Sequence, residues 1–147
     1  MLTISPDLIA QMHAHLEAGY PHEACGILIG EVANATGATN KVVKDLVLVP
    51  NVWSVESENE GLRNRYLISP EDVARADREA SKRGLDIVGF FHSHPDHPSR
   101  PSETDREFAW PVVSFVIVSV RQGRMTSTQS WVLRDDRSGF DEEAIRQ

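Results

Sequence analysis

Between Phe91 and Asp105 the chain reads FHSHPDHPSRPSETD, with three histidines, three prolines, two aspartates and a glutamate in fifteen residues. Side chains at i and i+2 of a strand share a face. If the apolar run LDIVGF (85–90) continues as a strand, His92 and His94 point the same way and Ser93 the opposite way. Two neutral imidazoles about 6–7 Å apart at their origins can converge on one ion. A third ligand is needed to hold zinc firmly while leaving a position open for water. Asp105 is the candidate, because the chain turns through Pro95, Pro98 and Pro101 and then starts a helix that can aim it back. These prolines fix their own φ and bias the residues before them away from helix. Residues 95–101 therefore read as a rigid spacer, not a ligand source, with His97 facing solvent or a substrate cleft.

Each piece also has a plainer reading. His-x-His alone is common surface decoration, and Ser102-x-x-Asp105 alone is a helix capping box. His22 and His97 read as loop residues, and Glu23 as a surface glutamate at a strand start. Cys25 reads as core packing, since no second cysteine supports a metal or redox role. The plain readings leave the conjunction unexplained: two histidines delivered by a strand, a proline-restrained loop, then a serine and an aspartate at helical spacing.

The elements around this stretch follow from periodicity. Ser5 and Pro6 start a helix whose apolar stripe is Leu8, Ile9, Met12 and Leu16, with Gly19 suited to its end. EACGILIG (23–30) reads as a short buried strand, EVANATGATN (31–40) as a polar, turn-rich connection, and KVVKDLVLVP (41–50) as a second strand. Residues 51–65 are polar and aperiodic and read as a long loop, the place to expect a partner contact. Ser69 caps a second helix with Pro70 at its first position, Asp72 in the capping-box position, a thin stripe of Val73, Ala76 and Ala80, and Gly84 at its end. Residues 85–94, 112–120 and 124–134 read as strands and 102–109 as a short helix. Helices and strands mix without strict alternation, which favours a mixed sheet flanked by helices.

Composition narrows the function. The 147 residues suffice for one domain with a sizeable core. The formal net charge is -7, and the Arg and Lys of 63–83 are interleaved with Glu71, Asp72, Asp77 and Glu79, which argues against a nucleic-acid partner. No apolar stretch approaches the roughly 18 residues of a membrane span, and MLTISPDL lacks the pattern of a signal peptide. The expectation is a soluble protein of a reducing cytoplasm, folded as a single domain over 1–147.

The whole pattern resembles the signature of the JAMM metalloproteases, the catalytically competent MPN domains of the JAB/Mov34 family. That signature is His-x-His-x7-Ser-x2-Asp with a glutamate far upstream. HSHP, the seven residues between His94 and Ser102, and the two before Asp105 match it. HEACGILIG is similar to the family's Glu-x-x-Gly-x-x-x-Gly strand, which makes Glu23 the upstream glutamate. The resemblance implies a three-layer, cytidine-deaminase-like α/β/α sandwich and a single catalytic Zn2+ held by His92, His94 and Asp105. It further implies that Glu23 is the general base and that Ser102 assists at the tetrahedral intermediate. The compact chain looks like the small prokaryotic branch, whose members are associated with ubiquitin-like sulfur-carrier proteins. That implies a peptidase or isopeptidase acting after a Gly-Gly tail, for example releasing a cysteine. Two other readings stand beside it. One is a non-catalytic MPN interaction module, against which the complete ligand set argues. The other is a DNA-repair-associated relative, disfavoured by Ser93 where that branch usually has Asn, and by the acidic charge.

Overall fold

The computed structural model describes residues 1–35, 38–52 and 66–147. In chain order these form β1 (Leu2–Thr3), α1 (Pro6–Gly19), β2 (Cys25–Ala35), β3 (Ala38–Val49), α2 (Pro70–Lys82), β4 (Asp86–Pro95), α3 (Glu103–Phe108), β5 (Ser114–Arg121), β6 (Arg124–Leu133), β7 (Phe140–Glu143) and β8 (Ile145–Arg146). The strands make one mixed sheet of eight in the order β7-β6-β5-β4-β2-β3-β1-β8. β4 runs parallel to β5, and β1 parallel to both β3 and β8; the remaining pairs are antiparallel. β7 and β8 lie at opposite ends of that order yet are separated in sequence only by Ala144, so the sheet curls almost closed.

Each face of the sheet buries its own core. On one face α1 packs against β3, β5 and β6, setting Met12 and Leu16 among Leu28, Val88, Phe91, Val116 and Val118. On the other α2 packs against β2 and β4, setting Ala76 and Ala80 among Cys25, Ile27, Phe90 and Phe115. This is the three-layer helix–sheet–helix arrangement expected from the sequence. Its thin α2 stripe works because alanines let the helix backbone sit close to the sheet.

The helix starts match their capping residues. Leu8 N–H donates to Ser5 Oγ, and the Glu71 and Asp72 N–H groups donate to Ser69 Oγ. Gly84, just beyond α2, has φ +70°, a conformation that costs glycine nothing. Gly26 answers a different need. A Cβ there would lie 2.0 Å from the Phe91 ring, so its absence lets β2 and β4 approach with that ring laid across the ladder.

One expectation is corrected. Residues 31–40 are not a turn-rich connection, because β2 and β3 continue their antiparallel ladder out to Ala35 opposite Ala38. Glu31, Val32 and Ala33 are exposed there, so this part of β2 gains its place from the ladder's backbone bonds and not from burial. No hydrophobic alternation marks such a strand. The long loop expected over 51–65 lies outside the described residues except for Asn51 and Val52.

A buried ion pair joins the curled sheet across four strands. Lys41 Nζ of β3 lies 3.0 Å from Glu143 Oε2 of β7, and both side chains are nearly inaccessible. Ser114 Oγ of β5 and Ser130 Oγ of β6 also donate to the Glu143 carboxylate, at 2.6 and 2.9 Å. Burial works against ionisation of Glu143, but the hydrogen bonds from Ser114, Lys41 and Ser130 outweigh it and hold the pKa below the ordinary value. A lowered carboxylate pKa adds stability that is fully present above the unfolded value of 4.5 and is lost as pH falls through the folded value. Lys41→Met removes the buried cation and leaves Glu143 only the Ser114 and Ser130 hydroxyls and the half-exposed Met1 ammonium at 3.5 Å, so we expect a loss of roughly 3 kcal/mol, the low end for a broken buried pair. For a domain of this size that is a fall in Tm of roughly 10 °C. Lys41→Met with Glu143→Leu should recover much of it. Calorimetric melts at neutral pH and at pH near 4 check both the loss and its acid sensitivity.

Candidate metal centre

β4 brings the two histidines together as its alternation requires. His92 Nε2 and His94 Nε2 lie 3.1 Å apart on the α2 side of the sheet, with both residues buried. Asp105 comes back from α3 to meet them. Its Oδ1 is 3.2 Å from His92 Nε2 and its Oδ2 is 3.1 Å from His94 Nε2. Burial opposes ionisation of Asp105, but the His92 and His94 contacts prevail and hold its carboxyl well below the usual carboxylate range. His94 is fixed further by its other ring nitrogen, whose N–H donates to the Pro98 carbonyl at 2.9 Å. That bond leaves the Nε2 lone pair facing the cluster. The spacer thus supplies no side chain to the site but one backbone acceptor, while His97 and His22 are exposed and outside it.

Glu23 reaches the same place from β2. The register pairs Cys25 with His92, so the antiparallel ladder, continued, sets Glu23 level with His94 on the same face. Ser93, pointing the other way, secures this register. Its Oγ accepts the Ala24 N–H at 2.9 Å, and its own N–H donates to the Ala24 carbonyl at 3.0 Å. Glu23 is 5% exposed, and its Oε2 has no hydrogen-bond partner among the described residues. Burial first, and then the nearby Asp105 carboxylate, push its pKa up to about 9.

Ser102 takes its expected capping part. It is the N-cap of α3, its Oγ accepting the Asp105 N–H at 3.1 Å while Asp105 Oδ2 accepts the Ser102 N–H at 2.8 Å. The capping box therefore orients the Asp105 carboxylate toward the histidines. The cap occupies a lone pair of the Ser102 hydroxyl, and its proton remains available to a group outside, where the residue is exposed.

Three contributors were not singled out in the sequence. Asn51 Nδ2 donates to the Glu23 carbonyl while Asn51 Oδ1 accepts the Leu67 N–H, both at 3.0 Å, which ties Glu23 to the segment following residue 65. Tyr66 in that segment stacks on His92, with ring centroids 4.2 Å apart and planes 21° apart. His15 of α1 donates to the Cys25 carbonyl from Nε2 at 2.9 Å. A lone Asn or Tyr beside an aperiodic stretch carries no spacing signal, so only the fold could identify these. Cys25 is buried core, as expected; burial, then Glu23 and Asp72, push its thiol up to about 12.

The donor set fits a small divalent cation. Ligand atoms of Glu23, His92 and His94 all lie within 4.8 Å of one another, a spacing that can hold a metal ion. Zinc–ligand bonds of about 2.0–2.1 Å meeting at tetrahedral angles set donor atoms about 3.3–3.4 Å apart. The separations among His92, His94 and Asp105 are close to that edge length. A bound cation also offsets the burial and carboxylate repulsion that raise Glu23. Beside the cluster, from Tyr66 and Phe90 onward, an apolar cleft of about 650 Å³ runs between α2 and the exposed Phe108 and Trp110.

The chain is similar to known proteins over most of its length. Residues 5–134 match the family described as prokaryotic homologs of the JAB domain. A desampylase of Haloferax volcanii is 31% identical over 131 residues, covering 86% of this chain and 85% of that protein. A CysO-cysteine peptidase of Mycobacterium tuberculosis is 28% identical over 136 residues, covering 92% of this chain and 84% of that protein. The solution structure of a protein from Salinibacter ruber superposes with a TM-score of 0.73 at 40% identity, covering 100% of this chain and 91% of that one. With the match spanning most of its length and including the histidine–aspartate cluster, this chain belongs to the prokaryotic JAB family.

Proposed function

We propose that the chain is one JAMM/MPN+ domain over 1–147, a cytoplasmic zinc peptidase or isopeptidase that cleaves after the Gly-Gly C-terminus of a ubiquitin-like sulfur-carrier protein. The observation that carries this reading is the convergence of His92, His94 and Asp105, with a Glu23 carboxylate oxygen beside them that has no hydrogen-bond partner among the described residues. His92, His94 and Asp105 hold the metal in this reading. Zinc at such a site supplies Lewis acidity and lowers the pKa of a coordinated water to about 7.

The chain's own groups do the rest. Glu23 Oε2 takes a proton from the attacking water and returns it to the leaving amine nitrogen, the paired base and acid duty of one carboxylate. The exposed Ser102 O–H donates to the substrate carbonyl oxygen as negative charge develops there. The buried position of the cluster admits only a slender segment of substrate. A Gly-Gly tail has no side chains to exclude, and an extended tail can pair its backbone with a strand edge. The apolar cleft from Tyr66 to Trp110 offers burial to larger residues upstream of that tail. The relatives' activities, a desampylase and a CysO-cysteine peptidase, support a conjugate or C-terminal adduct of such a carrier as substrate.

The test incubates zinc-loaded protein with ubiquitin-fold carriers that bear C-terminal extensions after Gly-Gly, read by intact mass. Release of the extension at the Gly-Gly junction, abolished by chelation, is the expected result. Binding of a carrier with every extension left intact would instead favour a non-catalytic interaction module.

A further inference from the structure

Two histidines face the cluster, but they are held in place by different means. His94 has a hydrogen bond on its distal nitrogen, from Nδ1 to the Pro98 carbonyl. His92 has no counterpart: its Nδ1 is buried without a hydrogen-bond partner among the described residues. Metal-binding histidines almost always use that second nitrogen to fix ring rotation and tautomer. Without such a bond the His92 ring is free to swing about its Cβ–Cγ axis, unless something restrains its plane.

We infer that Tyr66 is the positioning residue for His92, its ring face substituting for the missing hydrogen bond. This rests on the metal-centre reading above. The two rings are nearly parallel with centroids 4.2 Å apart, so rotating His92 out of plane drives its edge into the Tyr66 face. Tyr66 is itself held from behind. The next residue, Leu67, is clamped to Asn51 by its N–H to Asn51 Oδ1 and its carbonyl to the Val52 N–H at 2.9 Å. The same Asn51 side chain holds the Glu23 carbonyl. One short bridge therefore ties the segment that carries Tyr66 to the Glu23 backbone. The positioning property belongs to the flat ring, not the phenol oxygen. Phenylalanine should serve in its place, and an aliphatic side chain of similar bulk should not.

The experiment measures zinc affinity by competition with a chromophoric chelator in the parent, Tyr66→Phe and Tyr66→Leu proteins. Visible spectra of the Co2+-substituted forms report ligand geometry, and 15N spectra of labelled histidine report the His92 tautomer. The parent and Tyr66→Phe should agree in all three. Tyr66→Leu should bind zinc about 10–100-fold more weakly, the usual cost of losing a group that orients a ligand, and shift both spectra. If Tyr66→Leu does not fold, Tyr66→Met fills similar volume without a flat face and is read the same way. Parent-like affinity and spectra in Tyr66→Leu overturn the inference while leaving the metal centre standing. So does a Tyr66→Phe protein as impaired as Tyr66→Leu. A parent that binds neither metal overturns the metal centre and this inference with it.

Discussion

Replacing both His92 and His94 with alanine should reduce the metal content from about one zinc per chain to none, and hydrolysis with it, while the protein stays folded. Two of three proposed protein ligands are gone, and a single carboxylate does not retain zinc against buffer. The fold should survive because the two faces of the sheet have separate apolar cores, one built on Met12, Leu16 and Phe91 and the other on Ile27, Phe90 and Phe115. Small zinc modules whose folding free energy is metal binding behave otherwise. Chelation of the parent should accordingly lower Tm by the linkage that metal affinity supplies, without abolishing a cooperative transition. Asp105→Asn sharpens the assignment. An amide oxygen can still accept the Ser102 N–H and keep the α3 cap, so the helix should form while zinc affinity falls. Elemental analysis of protein kept from chelators, beside circular dichroism melts, checks both variants against the parent. Stoichiometric zinc in the double alanine variant would mean the ligands lie elsewhere.

How much of this was legible follows from which signals are local. His92, His94, Ser102 and Asp105 are positioned by strand alternation, a proline-limited spacer and a capping box, each written within a few residues. The sequence therefore indicated both their identities and their convergence, and the cap doubles as the device that orients Asp105. The helices were legible through Ser5–Pro6 and Ser69–Pro70 for the same reason. Glu23 is different. Nothing near it in sequence says it is close to a histidine, and it was assigned from the family pattern. Physically it is delivered by the β2–β4 register and the Ser93–Ala24 bonds, which are properties of the sheet.

What was missed falls into two kinds. The outer part of β2 exposes Glu31, Val32 and Ala33, and the short strands β1, β7 and β8 contribute only two to four residues each, so periodicity had nothing to register. They matter because β1 and β8 pair with one another, and β8 adjoins β7 in sequence, where the sheet curls toward closure. Lys41 and Glu143 belong with them: a lysine and a glutamate far apart in sequence read as surface charges until the curl buries both. Tyr66 and Asn51 are the second kind. They act through contacts across the chain, stacking and bridging, whose partners no spacing rule names.

Glu23→Gln should give a protein that is folded, zinc-loaded and nearly inert. The substitution keeps the length and shape of a side chain that is almost fully buried, so the Ser93–Ala24 bonds and the Asn51 bond to the Glu23 carbonyl should persist. Glu23 is not a ligand in the proposed set, so metal content should match the parent, in contrast to the histidine and Asp105 variants. What disappears is the ability to accept a proton. A positioned general base is worth about 10²–10⁴-fold, so kcat should fall by at least about 10² while KM changes little. Glu23 also lies close enough to His92 and His94 to serve as a ligand itself, and the same variant separates the two roles. Lost zinc together with lost activity would move Glu23 into the ligand set and release Asp105 to its capping duty alone. Near-normal turnover by a zinc-dependent Glu23→Gln protein would remove Glu23 from the chemistry altogether. The proton would then have to be carried by another group lining the cleft. Metal content and turnover measured on one preparation tell these three cases apart.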